Sequence, residues 1–331
     1  MLAHDDPAAT YRLLEREFTA RGYTTRVFYL GASEVFEAVS PKGRRWVTPI
    51  AHMSYPMQSA FTKEVSIHKD LAYELMKNVG VPVPFTQVIR AGVELSLNEA
   101  ATLLQQQPRL IVKPADSSLS RGLTLGITDA PALVEAITLA RQFARNGDVI
   151  VQQQVSGEEL RFVYSDGNIV AALLRETAKL TGDGVHSIQQ LLDKENTQRA
   201  EIKDSLVTYP QLSDDLIQPG IDYMKVPANG ETIELSCSTM IRGGASIYNV
   251  IATIDPSYCD LARRAAEALG TGFIVIDMMI KNYKQPFDGT NAFFNEFNTA
   301  PVLKLCYSCR DGNQLDIVPL LVDAIDKRIH L

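Results

Sequence analysis

FIVIDMMI at residues 273–280 and AFFNEFNTAP at residues 292–301 are two apolar stretches, each of which contains an acidic residue. Both are typical of strands, and Glu296 and Asn298 then point to the same face. A lone ionised carboxylate in a core strand is costly unless it is paired or binds a cation. One Mg²⁺ ion would account for Asp277, Glu296 and Asn298 together, because it prefers oxygen ligands. The alternative left open is that each carboxylate pairs with an Arg or Lys at a strand end.

A second pattern lies earlier in the chain, where residues 109–127 read RLIVKPADSSLSRGLTLGI. Lys113 ends an apolar strand and precedes a loop rich in Ser and Gly. A lysine presents a point charge to a phosphate, and the backbone N–H groups and hydroxyls of residues 116–122 can hold phosphate oxygens. A surface role is the alternative for Lys113, and likewise for Lys69 at the start of the preceding helix.

The composition excludes several classes of protein. The chain has 331 residues, 46% of them hydrophobic and 21% charged, with a formal net charge of −7. An acidic chain is a poor candidate for nucleic-acid binding, which needs clustered Lys and Arg. The sequence shows no signal peptide and no apolar run long enough to span a bilayer. The four cysteines show no spacing of a structural zinc site, which fits reduced thiols in a cytoplasmic protein. Together with the charge and the lack of a long apolar run, this leads us to expect a cytoplasmic protein with no membrane or nucleic-acid partner.

The order of helical and strand patterns predicts an α+β protein with many antiparallel hairpins. An Asp166-Gly167 pair marks one hairpin turn. The sequence has no G-x-G-x-x-G between a strand and a helix and no G-x-x-x-x-G-K-[ST], which excludes Rossmann and P-loop motifs. We predict three segments: an amino-terminal α/β unit at 1–62, a small lobe at 63–155 and a large lobe at 156–331.

Seven motifs of this sequence resemble motifs that occur in the same order in the ATP-grasp enzymes. The likeness is strongest to the ATP-grasp domains of cyanophycin synthetase and bifunctional glutathione synthetase. The likeness covers about residues 66–305, and D-alanine–D-alanine ligase is a more distant relative. The motifs are HKDLAYELMKNVGVPVP (68–84), LIVKPADSSLSRGLTLGI (110–127), VIVQQQVSGEELRFVYSDGNIVAALLRE (149–176), LTGDGVHSIQQLLD (180–193), MIRGGAS (240–246), IDMMI (276–280) and NEFNTAP (295–301). The resemblance implies an ATP-grasp fold, in which two α+β lobes sandwich ATP, with a short N-terminal α/β unit.

The resemblance also implies site residues, each carried over by its place in a motif. Those implied to bind the nucleotide are Lys69, Lys113, Ser117, Ser118, Ser120, Gly122, Gln152, Gln154, Val155, Glu159 and Arg161. Those implied to act on the reacting groups are Arg242, Lys113 and Arg175. The implied metal ligands are Asp277, Glu296 and Asn298, which are the residues that the strand pattern also selects. The implied cofactors are ATP and Mg²⁺, with Mn²⁺ as an alternative metal.

The activity implied by the resemblance is ligation of a carboxylate to an amine through an acyl phosphate. The expected substrates are amino acids or short peptides, and a homo-oligomer is left open because the amino-terminal unit is short. Two alternatives remain at this point: an enzyme with a hydroxyl or thiol acceptor, and a non-catalytic nucleotide-binding regulator. Arg242 stands in I-R-G-G where cyanophycin synthetases usually have S-T-G-G, which indicates a different carboxylate substrate.

Overall fold

The computed structural model describes residues 7–117, 121–202, 209–236 and 238–329, with the side chains described from residue 10 onward. The chain divides into two compact units, and each unit combines stretches that are distant in sequence. The first unit comprises residues up to Met57, Glu158–Ile254 and residues from Ala300 onward, and the second comprises Gln58–Gly157 and Asp255–Thr299. The three-segment division predicted from the sequence stays a prediction.

The regular elements of the described residues alternate between helices and short strands. The α-helices are α1 (Pro7–Ala20), α2 (Ala60–Ile67), α3 (Lys69–Asn78), α4 (Leu97–Gln106), α5 (Ala130–Arg141), α6 (Ile188–Glu201), α7 (Pro256–Glu267) and α8 (Ile317–Ile329). The strands are β1 (Thr24–Leu30), β2 (Ser33–Val39), β3 (Arg45–Pro49), β4 (Thr86–Ile89), β5 (Leu110–Pro114), β6 (Thr124–Ile127), β7 (Val149–Gln153), β8 (Glu158–Ser165), β9 (Asn168–Glu176), β10 (Lys179–Thr181), β11 (Thr232–Glu234), β12 (Ser246–Asn249), β13 (Phe273–Ile280) and β14 (Ala292–Asn298). Short 3-10 helices cover Ile241–Gly243 and Leu303–Tyr307.

The first unit contains antiparallel strands in three groups. Strands β1, β2 and β3 form a meander, whose inner face packs Phe36 and Trp46 against Phe18 of α1. Strands β8 and β9 form a hairpin closed at Asp166 and Gly167, both with positive φ, as the sequence predicted. Strand β12 pairs with β9, and the short pair β10–β11 lies over a small apolar core shared with α6.

The second unit contains a four-stranded antiparallel sheet in the order β4-β7-β5-β6. Helices α4 and α5 cover one face, and their apolar side chains form a core with Leu110, Val112, Val149 and Val151. A capping box formed by Ser96 and Glu99 stabilises the start of helix α4. Strands β13 and β14 form an antiparallel hairpin in the same unit.

The predicted α+β class with antiparallel hairpins is confirmed by these sheets. Three helices or strands were not predicted from the sequence: α2, which is a short helix opened by a Ser59–Thr62 capping box, the three-residue strand β10, and the four-residue strand β12. All three are too short to show a helical or alternating period. Among the described residues, no helix is both long enough and apolar enough to cross a membrane.

Candidate active site

The two acidic strands predicted from the sequence lie side by side in the second unit. Asp277 of β13 is directly opposite Glu296 of β14 in the antiparallel register. Directly opposite residues of such a pair have Cβ atoms about 5 Å apart and share a face. Asp277 is fully buried, whereas the Glu296 side chain is 38% exposed. Alternation along β14 places Asn298 on the same face as Glu296, so the three predicted ligands share one surface.

A β-bulge in β14 redirects one further side chain. Asp277 pairs with Glu296 while Met278 pairs with Phe294, so Asn295 has no opposite partner. A bulged residue is left out of the ladder and often re-aims its side chain. The Asn295 side-chain oxygen lies 3.4 Å from Nζ of Lys113. The bulge therefore connects the acidic hairpin to the lysine at the end of β5.

Lys113 is held in a buried polar network. Its Nζ donates a 2.8 Å hydrogen bond to the hydroxyl of Tyr73, and the Tyr73 hydroxyl donates at 2.9 Å to the backbone oxygen of Asn295. The ammonium also lies 5.4 Å from the centre of the Tyr73 ring, a favourable cation–π geometry. Only 8% of Lys113 is exposed. The position of its charge is thus fixed by helix α3 and by the bulge.

Lys69 lies in the same cluster. Its Nζ donates at 2.6 Å to the backbone oxygen of Ser117 and lies 3.9 Å from a carboxylate oxygen of Glu296. Burial lowers the pKa of Lys69, and the charge of Lys113 lowers it further, against the opposing effects of Glu296 and Asp116. Two ammonium groups close enough to repel each other make a strong site for a polyanion.

Ser117 supplies an unsatisfied polar atom at this point. Its Oγ is buried and has no hydrogen-bond partner within the part of the chain that the structure describes. Buried hydroxyls are normally hydrogen-bonded, so an orphaned one calls for an explanation such as a ligand. A phosphate oxygen beside Lys69 would satisfy it. The predicted phosphate ligands Ser118 and Ser120 lie outside the described residues.

The loop that contains these serines is fixed at both ends. The carboxylate of Asp116 accepts hydrogen bonds from the backbone N–H groups of Arg145 and Asn146, at 2.9 and 3.2 Å. Asp116 is therefore an anchor of the loop rather than a ligand of phosphate. At the other end Gly122 has φ +73°, and a Cβ there would lie 2.9 Å from the Phe143 ring.

Changing Gly122 to alanine is expected to destabilise the protein by about 1–3 kcal/mol, because a non-glycine residue is strained at this φ and the new methyl meets Phe143. The matched control is Gly92→Ala, which has φ +77° and open space around the Cβ position. Urea unfolding of both variants measures the difference. Equal losses for the two would show that the contact with Phe143 is unimportant.

The segment predicted to contact adenine follows β7. Its glutamine side chains are used within the second unit: Gln152 donates to the Thr86 hydroxyl at 2.9 Å, and the oxygen of Gln154 accepts from the Gly126 N–H at 2.7 Å. Val155 differs, because its backbone N–H and C=O have no hydrogen-bond partner among the residues described. The backbone of Val155 is therefore available to an adenine edge, while the glutamines shape the segment.

The predicted site residues of the first unit lie mainly on the β8–β9 hairpin. Glu159 and Arg175 are directly opposite in register and form a 2.5 Å ion pair in which both side chains are largely buried. Arg175 also donates to the backbone oxygen of Thr239 at 3.0 Å. Arg161 lies two positions along β8 from Glu159 and is 8% exposed. Arg242 is exposed on the 3-10 helix Ile241–Gly243.

The glycine pair after Arg242 has a steric basis. A Cβ on Gly243 would lie 2.2 Å from Oγ of Ser238, and Gly244 has φ +91°. The turn that presents Arg242 therefore requires both glycines. Cys306 and Cys309 lie in the same unit and are buried, and burial raises the pKa of each thiol to about 12. Protonated buried thiols are inert, which argues against a redox role for this pair.

The structure thus brings together two groups of predicted residues, one in each unit. The second unit gathers Lys69, Lys113, Asp277, Glu296 and Asn298, and the first unit gathers Glu159, Arg161 and Arg175. Sequence reasoning missed Tyr73 and Asn295, which hold Lys113. Tyr73 is four residues after Lys69 on α3 and so shares its helix face, which is the signal that could have identified it. The bulge at Asn295 has no sequence signal that we recognise.

The residues of the second unit also fit a divalent cation and a nucleotide phosphate. Two carboxylates and one amide oxygen are a partial ligand set, as expected for Mg²⁺, which shares its coordination with phosphates and water. No group of three His, Cys, Asp or Glu side chains suited to a metal occurs among the described residues. Nucleotide phosphates and water could complete the coordination of a cation held by these side chains.

Comparison with known proteins gives sequence and structural relatives, although no family model matches the chain. The Glutathione biosynthesis bifunctional protein GshAB of Streptococcus agalactiae serotype V is 31% identical over 229 residues, which are 66% of this chain and 30% of that protein. The cyanophycin synthetase of Crocosphaera subtropica is 24% identical over 268 residues, covering 79% of this chain and 30% of that protein. The chain therefore spans about a third of the length of these relatives.

A solved structure shows the same fold over nearly the whole chain. The crystal structure of a bifunctional glutathione synthetase from Pasteurella multocida superposes with a TM-score of 0.68 at 19% identity, covering 96% of this chain and 44% of that one. The fold predicted from the seven motifs is confirmed by this likeness. The chain therefore has the ATP-grasp fold, and it is similar in sequence to these two relatives over 66% and 79% of its length.

Proposed function

We propose that the chain is an ATP-dependent, ADP-forming ligase that joins a carboxylate to an amine. The observation that carries the proposal is the cluster in the second unit, where Lys69 and Lys113 lie beside the Asp277–Glu296 pair and the orphaned hydroxyl of Ser117. Such a cluster suits the phosphates of a nucleotide together with a divalent cation. The names of the sequence relatives, a glutathione biosynthesis protein and a cyanophycin synthetase, support the ligase class.

The proposal gives a role to each residue that is predicted to bind the nucleotide. Lys69, Lys113 and the loop from Ser117 to Gly122 contact its phosphates, including the side chains of Ser118 and Ser120. Gln152, Gln154 and Val155 form the adenine edge, mainly through the open backbone of Val155. Glu159 receives the ribose hydroxyls, and Arg161 lies beside it. Asp277, Glu296 and Asn298 would hold Mg²⁺, or Mn²⁺ in its place, which would neutralise charge on the phosphates.

The proposed chemistry has two balanced steps. An oxygen of the substrate carboxylate attacks the γ-phosphorus, the bond from that phosphorus to the β–γ bridging oxygen breaks, and ADP departs. The nitrogen of the amine then attacks the acyl carbon, and the bond between that carbon and the phosphate oxygen breaks. Inorganic phosphate leaves, and the proton lost by the amine passes to solvent or to this phosphate. Lys113 stabilises charge on the transferring phosphoryl group, and Arg242 with Arg175 stabilises the oxyanion of the second step.

The substrates that fit this proposal are amino acids or short peptides. The test is ADP formation by the purified chain with ATP and Mg²⁺ in the presence of pairs of amino acids and dipeptides. We expect ADP to form only with a carboxylate and an amine present, at one ADP per amide bond. ADP formed with hydroxyl or thiol acceptors alone would contradict the amine as acceptor. No ADP with any acceptor, together with tight ATP binding, would indicate a nucleotide-binding regulator.

Lys69 gives the proposal a pH dependence. Its pKa is lowered below the ordinary 10.5, chiefly by burial, so its positive charge is lost as the pH rises through that lowered value. Affinity for ATP–Mg²⁺ is therefore expected to fall at a pH below the range where an ordinary lysine titrates. Lys69→Arg keeps the charge across that range and is expected to flatten the profile. Titration calorimetry with ATP–Mg²⁺ between pH 7 and 10 measures the affinity of both proteins. The unmodified protein and the Lys69→Arg variant would show the same pH profile if Lys69 did not contact the nucleotide.

A further inference from the structure

A cavity of about 340 Å³ lies within the first unit, apart from the residues discussed above. It is bordered by α6, by the turn between β9 and β10, by β12 and by Arg310. Its volume is at the lower end of the range of ligand pockets, about 300–1,000 Å³. The charged side chains on its wall include both signs: they are Glu176, Lys179, Lys194, Glu195, Arg199 and Arg310.

The cavity contains an excess of positive charge at its centre. Glu195 accepts hydrogen bonds from both Arg199, at 2.7 Å, and Arg310, at 2.6 and 3.2 Å. Arg199 is only 1% exposed, and its guanidinium also meets the Gly244 oxygen at 2.8 Å. One carboxylate therefore faces two guanidinium groups. A buried cation without its own counter-charge is costly, and an anionic ligand would relieve that cost.

Arg310 has one edge of its guanidinium group available. Its two terminal nitrogens bind Glu195, and one of them also donates to the Ser246 hydroxyl at 3.0 Å. Its Nε–H and its remaining terminal N–H have no acceptor among the residues that the structure describes. Those two groups form the second flat edge of a guanidinium, which matches the two oxygens of a carboxylate.

The cavity lies on the other face of the sheet from the Glu159–Arg175 pair. Ile247 is opposite Arg175 and Ser246 is opposite Glu176 in the β12–β9 register. Successive residues of a strand point to opposite faces, so Ser246 and Glu176, which border the cavity, face away from Arg175. A ligand in the cavity would therefore leave the proposed ribose and oxyanion contacts of the first unit free.

The other wall residues indicate the rest of the ligand. Lys194 on α6 adds a second cation for an anionic end. The carboxylate of Glu176 pairs with Lys179 at 2.7 Å, and its second oxygen and the hydroxyl of Tyr248 are acceptor types that suit an ammonium group. Leu180 and Leu191 give an apolar surface. A cavity of about 150 Å³ holds a molecule the size of benzene, so this one has room for an amino acid or a dipeptide.

We propose that this cavity is a second ligand site, which binds the carboxylate of a free amino acid or dipeptide through Arg310 and Lys194. The ligand's ammonium group lies toward Glu176 and Tyr248. The proposal does not depend on the ligase activity, because binding at this site requires neither nucleotide nor turnover. Its failure and the failure of the proposed function are therefore separate results.

The test is titration calorimetry of the full chain without nucleotide. The probes are the twenty L-amino acids and L-alanyl-L-alanine, the C-terminal amide of each compound that binds, and inorganic phosphate. We expect at least one carboxylate to bind once per chain and its amide to bind at least about tenfold more weakly, since the charge-assisted contact is lost. The proposal is overturned if no carboxylate binds, whether or not phosphate does.

Three variants locate the binding. Arg310→Lys removes the flat edge and is expected to weaken binding about tenfold or more. Lys194→Gln changes an exposed residue of α6, so it tests the proposal even if the Arg310→Lys protein is unstable. We expect its affinity for the carboxylate to fall about threefold or more, roughly the value of one exposed charge contact. Lys42→Gln, an exposed lysine in the β2–β3 turn, is the matched control. Wild-type affinity in both cavity variants would contradict this location.

Discussion

Replacing Glu296 by glutamine is expected to lower kcat by roughly a hundred- to a thousandfold, the usual cost of removing one electrostatic stabiliser of a transition state. Glutamine has the same shape as glutamate, but it removes the charge that lies opposite Asp277 and 3.9 Å from Lys69. The remaining Asp277 would hold a divalent cation weakly. Steady-state ADP formation at saturating ATP and increasing Mg²⁺ measures the effect.

The fold should not depend on this change. The Glu296 side chain is 38% exposed, so the stability of the variant is expected to stay within about 0.5 kcal/mol of the unmodified protein. The matched control is Glu74→Gln on α3, whose partner is the exposed Lys77; it should keep full activity. A Glu296→Gln protein that melts normally and turns over at the wild-type rate would exclude Glu296 as a metal ligand.

The second large effect is expected at Lys113. Lys113→Met keeps the length of the side chain but removes the buried ammonium that donates to Tyr73 and Asn295. We expect kcat/KM for ATP to fall by roughly a hundredfold or more, because a charge that faces the phosphoryl group is lost. Coupled-assay kinetics at fixed Mg²⁺ measure it. Lys77→Met, an exposed lysine on α3, is the control.

Tyr73→Phe separates the charge of Lys113 from its position. This variant keeps the ammonium and removes the hydroxyl that holds it at 2.8 Å. A smaller loss is expected, about tenfold, as for a residue that positions a reacting group. If the Tyr73→Phe protein were as inactive as the Lys113→Met protein, most of the loss of activity would come from the tyrosine hydroxyl rather than from the lysine charge. Full activity of the Lys113→Met protein would exclude Lys113 from the proposed site.

The sequence predicted the parts of the fold that have a strong local signal. The Asp166-Gly167 turn, for example, closes the β8–β9 hairpin. The two acidic strands were also predicted, since a carboxylate within an apolar strand needs a partner; the single cation that they were predicted to share stays a prediction. Their direct opposition, Asp277 to Glu296, is a matter of register, which a sequence does not state.

The parts that were not predicted depend on long-range geometry. The bulge at Asn295 shifts the register by one residue and brings its side chain to Lys113, although Asn295 looks like any polar residue in an alternating strand. Asp116 sits in a phosphate-loop pattern and is an anchor for Arg145 and Asn146 instead. The cavity at Arg310 combines residues from three distant stretches, so no window of sequence contains it.

The most direct test of the proposed activity follows the oxygen atoms of the carboxylate. The substrate carboxylate, once identified by ADP formation, is labelled with ¹⁸O in both oxygens and turned over with ATP and the amine, and the released phosphate is analysed by mass spectrometry. An acyl phosphate requires one carboxylate oxygen to leave with phosphorus, so each phosphate is expected to carry one ¹⁸O atom. Phosphate without ¹⁸O, alongside a formed amide, would contradict the account.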